Sequence, residues 1–125
     1  MGIYNLANKI KKAAMHTPLV NMASFGNISE YDNKKTIAYP YVNVDVQTNK
    51  VSNNSVGMYT IRIECVDRNE PFEAYNKCET ILDTLMNTLE IKNYTINYFT
   101  LNYKDVVNGC YIVIDYTDKL ELKCV

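Results

Sequence analysis

Residues 58–71 read MYTIRIECVDRNEP, and within them a repeat of two gives way to the start of a helix. Tyr59, Ile61, Ile63 and Cys65 fall on one side of an extended chain, with Thr60, Arg62 and Glu64 on the other. That alternation is the pattern of a strand with one buried face. Asp67 to Pro71 then closes the strand: Asn69 is placed to cap a helix and Pro71 suits its first turn. Downstream the spacing becomes helical. Tyr75, Cys78, Leu82, Leu85, Met86 and Leu89 form one apolar stripe, joined by Phe72 and Ile81, so a helix is expected to about Leu89.

The same reading extends upstream. Residues 38–47, AYPYVNVDVQ, put Val42, Val44 and Val46 on one face, with Tyr41, Asn43, Asp45 and Gln47 on the other. The polar turn cluster TNKVSNNS at 48–55 joins this strand to the next as a hairpin. Val42, Val44 and Val46 are expected to lie under the helix that starts near Pro71. Nearer the N-terminus, Ile3, Leu6, Ala7, Ile10 and Ala14 recur at helical spacing, with Lys9, Lys11 and Lys12 opposite, which predicts an amphipathic helix over 3–15. His16, Thr17 and Pro18 end it, a short strand follows at 19–25, and the polar segment 26–36 is a long loop or hairpin tip.

After the second helix, NYTINYFTLNY at 93–103 changes apolar phase. Ile96 and Tyr98 belong to one face, and Phe99, Leu101 and Tyr103 to the other, the pattern of a bulge or of a strand covered on both sides. Asn108 and Gly109 are the expected tip of the following turn, unless the tip lies a residue or two earlier. CYIVIDYT at 110–117 is the last strand, with Cys110, Ile112, Ile114 and Tyr116 on one face, and 118–125 reads as an extended arm. Hairpins separated by helices predict one α+β domain over 1–125. Its antiparallel or mixed β-sheet has four to five strands, with the N-terminal helix and one long helix packed on the sheet.

Composition narrows the function. The 125 residues carry a formal net charge of −1, so no overall positive field favours nucleic acid or an anionic membrane. No apolar run is long enough to span a bilayer. The four cysteines form no CxxC pair and the only histidine is His16, so neither a metal site nor a cofactor is expected. Cys65, Cys78 and Cys110 read as small buried hydrophobes. No Ser or Cys stands in a recognisable nucleophile setting, and no Gly-rich phosphate loop is present, so an enzyme is not expected. Asp45, Glu64 and Asp115 are read as solvated carboxylates. The abundant functional-looking side chain is tyrosine, 11 in all, which serves cross-strand packing first and a protein interface second.

The order of segments is similar to a known family. A Pro-containing strand, YPYVNVDV, precedes a strand ending in Asp-Arg, YTIRIECVDR. A helix with ILDTLMNTL follows, and a closing strand leaves a Gly turn and reaches a near-terminal Cys, NGCYIVIDYTDKLELKC. Over residues 37–125, and more loosely at the N-terminal helix, this resembles tail-terminator or tail-completion proteins of tailed bacteriophages, of the crAss-like neck type. The resemblance implies a structural virion protein that assembles in the host cytoplasm. It implies a sixfold or twelvefold ring in the neck or at the head-proximal end of the tail, joining portal or connector to tail. Genomic DNA would pass through without sequence-specific binding, and no membrane would be involved. Tyr39, Pro40 and Tyr41 are then expected to contact a neighbouring subunit. The loop with Tyr31, Lys34 and Lys35 and the arm with Leu120 and Leu122 would reach adjacent rings. The alternative is a small soluble adaptor binding a protein or peptide through its sheet edge.

Overall fold

A computed structural model describes residues 3–26, 37–51, 56–102 and 106–119. The elements follow in the order α1 (Ile3–Met15), β1 (Met22–Phe25), β2 (Tyr41–Val51), β3 (Val56–Asp67), α2 (Pro71–Thr88), β4 (Asn97–Asn102) and β5 (Val106–Lys119). The five strands form one mixed sheet in the order β1-β2-β3-β5-β4. Only the β1–β2 pairing is parallel; the other three are antiparallel. The chain is therefore α+β, with both helices on one face of the sheet.

The expected strand alternation builds the core. Val44 pairs with Ile63, which pairs with Ile112, and Val42, Cys65 and Cys110 form the adjoining row. Onto these rows α1 lays Ala7, Ile10 and Ala14, and α2 lays Cys78, Ile81, Leu82, Leu85 and Met86. Each is at most 1% exposed. Fully burying a Leu or Ile side chain contributes about 1.5–3 kcal/mol, so this stripe is the main source of stability. Coverage is divided between the helices, however. Helix α1 lies over β1 and β2, and α2 lies over β3 and β5, so the valines of β2 pack under α1 rather than under α2.

Two local expectations are corrected. The cap of α2 is Glu70, whose Oε1 accepts the Glu73 amide at 2.8 Å, while Asn69 donates to Asp67 instead. Pro71 does open the helix. Asn108 and Gly109 lie inside β5, paired with Thr100 and Phe99 of β4, and so are not a turn tip. Glycine is needed there for close approach: a Cβ at Gly109 would stand 2.0 Å from the Cys65 carbonyl oxygen. The phase change before β4 arises because the strand starts only at Asn97, which leaves Ile96 outside it. Within β4, Tyr98, Thr100 and Asn102 are exposed and Phe99 and Leu101 are half-buried on the other face, so the strand is not covered on both sides. Tyr98 meets α2, while Phe99 and Leu101 join a second cluster on the opposite face. The irregularity in the sheet falls elsewhere, in β2 between Thr48 and Lys50.

Candidate functional site

The face of the sheet away from the helices is not simply polar. At one end Met22 pairs with Tyr41, Tyr41 with Val66, Val66 with Gly109 and Gly109 with Phe99, a row across all five strands. Tyr41, Val66 and Val107 form a buried cluster here, with Ile37, Tyr39 and Leu101 packed against it. Tyr41 is 2% exposed and its hydroxyl contacts Ser24 Oγ. Ser24 also donates to Asn43 Oδ1 at 3.2 Å, and Asn43 Nδ2 donates to the Gly26 carbonyl at 2.8 Å. Tyr41 and Pro40 are thus buried within their own chain, which corrects the expectation that they present themselves to a neighbour. Tyr39 is half-buried, with the Arg68 guanidinium carbon 5.6 Å from its ring centre. Its peptide bond to Pro40 is cis, and Asn21 donates to its carbonyl at 2.5 Å.

In the next row, Asn43 pairs with Glu64 and Glu64 with Tyr111. Glu64 is 2% exposed, so the reading of it as a solvated carboxylate is overturned. Arg62 Nε donates to its Oε1, and the Arg62 guanidinium carbon sits 3.7 Å from the Tyr111 ring centre. Phe99 packs edge-on to Tyr111 at 5.8 Å. Glu64 Oε2 has no hydrogen-bond partner. Burial pushes the Glu64 carboxyl above its ordinary range, the charge and hydrogen bond of Arg62 oppose this, and Asp45 adds to it. Asp45 is half-buried and Asp115 exposed, the latter accepting from Thr60 at 3.4 Å.

The chemistry available is limited by access. Cys65, Cys78 and Cys110 are free thiols gathered under α2, each fully buried. Hydrogen bonding to Cys78 and then burial hold Cys65 and Cys110 above the ordinary thiol range. A nucleophile needs an accessible thiolate, and these sulfurs act as core. His16 is exposed at the end of α1. Among the described residues no group of three or more His, Cys, Asp or Glu side chains is arranged to hold a metal ion, and no helix is long and apolar enough to cross a membrane.

Two flanks carry exposed apolar side chains beside charged ones. On one, Lys11 Nζ lies 5.3 Å from the Phe25 ring centre, beside an apolar groove of about 390 Å³ lined by Asn8, Phe25, Gly26, Val44, Asp45 and Val46. Met15 and Leu19, both 56% exposed, continue this flank along α1 and its exit. On the other, α2 and the outermost strand β4 enclose a groove of about 260 Å³ lined by Phe72, Tyr75, Asn76, Glu79 and Tyr98. Tyr75 and Tyr98 pack edge-to-face at 5.2 Å. Tyr98 donates to Glu79 at 2.7 Å and Tyr94 to Asp83 at 2.6 Å, and those hydrogen bonds, with some burial, hold both phenols above their ordinary range. Phe72, expected to join the apolar stripe, is 73% exposed, because helical spacing aligns it with Glu79 and Asp83 rather than with the buried residues of α2.

Of the interface candidates, Tyr31, Lys34, Lys35, Leu120 and Leu122 lie outside the described residues, as do most of the loop 26–36 and the arm 118–125. Sequence reasoning passed over Phe72, Glu79 and Tyr98 as a group. Their separation along the chain hides the groove, although Phe72 at the rim of its stripe was a signal. No protein-family model matches the sequence, and no curated protein is significantly similar to it.

Proposed function

We propose that this chain is a structural subunit of a phage neck or tail-end ring, joining portal or connector to tail around the DNA channel. The observation that supports it best is a single sheet with helices on one face, bounded by two unlike flanks, β1 with α1 and β4 with α2. A ring needs a subunit with two different, mutually fitting surfaces, because its contacts are head-to-tail. The resemblance in segment order points the same way and is fold-level analogy. Quantitative mass spectrometry of purified particles tests the proposal. A copy number, relative to the major capsid protein, equal to one sixfold or twelvefold ring is expected. Absence from particles would overturn it.

The second reading is an adaptor that takes an extended peptide along β4. The groove between β4 and α2 favours it, since an added strand would place alternate side chains in that groove.

A further inference from the structure

We infer that two copies of this chain bind head-to-tail, the α1/β1 flank of one against the α2/β4 flank of the next. This deepens the ring reading, and rests on it, by assigning both contact surfaces.

The two flanks differ in charge. Residues 3–26 contain Lys9, Lys11 and Lys12 and no acid. Residues 70–102 contain Glu70, Glu73, Glu79, Asp83 and Glu90 against Lys77 and Lys92. Lys77 is engaged with Asp67 at 3.3 Å, which leaves the outer side of α2 dominated by Glu79 and Asp83. Glu79 lines the groove that also holds Phe72 and Tyr98, and Lys11 lies over Phe25. Each flank therefore pairs exposed apolar side chains with a predominant charge: three lysines against Asp45 on the α1/β1 side, and carboxylates that outnumber Lys77 and Lys92 on the α2/β4 side. Helical spacing puts Met15 on the same side of α1 as Lys11, and Phe72 and Asp83 on the same side of α2 as Glu79.

A second copy is the partner these surfaces fit. Apolar surface next to charge of opposite sign gives both burial and register. Self-pairing of either flank across a twofold axis would set like charges together, lysine against lysine or carboxylate against carboxylate, which is disfavoured. Joining unlike flanks instead repeats from copy to copy and closes into a ring or runs on as a filament. The outermost strands β1 and β4 lie one on each flank, so strand addition is compatible with the same contact.

Charge exchange in the full chain tests this. Lys11→Glu with Lys12→Glu makes both flanks negative, and Glu79→Lys with Asp83→Lys makes both positive. Circular dichroism and the melting temperature confirm that each variant is folded. Analytical ultracentrifugation at low and high salt reads assembly. The wild-type chain is expected to assemble, more strongly at low salt. Each variant alone should associate at least about tenfold more weakly. Mixing the two variants should restore assembly, with copies alternating. If both variants assemble as the wild type does, the flank assignment is wrong and the ring reading stands through other surfaces. If the wild type stays monomeric throughout, head-to-tail self-binding is overturned, and the copy number in particles decides the ring reading separately.

Discussion

At Tyr41 the sheet face opposite the helices becomes an interior. The ring is walled by Val66 and Val107, with its hydroxyl at Ser24, so removing it leaves a cavity. Tyr41→Ala should destabilise the fold by roughly 3–5 kcal/mol in urea unfolding, the range for large aromatic truncations in a core, whereas Tyr41→Phe should cost about 1 kcal/mol. Gly109→Ala is a small change with a large expected effect. The new methyl would meet the Cys65 carbonyl oxygen, and backbone cannot yield as a side chain tip can. A loss of at least about 2 kcal/mol is expected from the same measurement. Glu64 makes stability depend on pH. Its folded pKa is raised above the reference value of 4.5, so the folded state holds the proton more tightly than the unfolded chain. The resulting stabilisation is full below the unfolded pKa and is lost as pH rises through the folded pKa. Glu64→Gln keeps the shape without the ionisation. Its stability relative to wild type should therefore rise as the pH is raised above 4.5, and a flat difference would rule out a titrating Glu64. Alternation placed Glu64 on the correct face of its strand. Only the stacking of Arg62 on Tyr111 and the pairing with Asn43 show that this position is dry.

Among the elements, α2 is the one whose local signals act most directly. Pro71 opens it, and the Glu70 carboxylate takes up the Glu73 amide. Glu70→Ala should lower stability by about 0.5–1 kcal/mol, read as a shift in the unfolding midpoint. Both helices were legible because their apolar stripes are long and strongly periodic. The α2 cap was not, because Asn69 is the better capper by type and was drawn away to Asp67. β4 was blurred for another reason: Ile96 lies before the strand and the aromatic Tyr98 sits on its exposed face with Thr100 and Asn102, so apolar residues alone do not mark its phase. Asn108-Gly109 has the composition of a turn, yet β5 runs through it because the glycine admits the β3 backbone.

For the whole molecule, the consequence of one-sided helix packing is a domain with two unlike flanks. Stability and assembly should then be separable. The charge-exchanged flank variants keep the core rows of Val44, Ile63 and Ile112 untouched, so their melting temperatures should stay within a few degrees of wild type while association changes. The amino-acid sequence by itself determined the helices, the strand faces, the β2–β3 hairpin and the α+β class. Each follows from side-chain periodicity along a local backbone. Tertiary structure alone decided that α1 rather than α2 roofs β2, that Tyr41 and Glu64 are enclosed, and that Phe72, Glu79 and Tyr98 line one groove. Those facts depend on which distant segments pair and in what register, and a repeat of two or 3.6 residues carries no information about its partner.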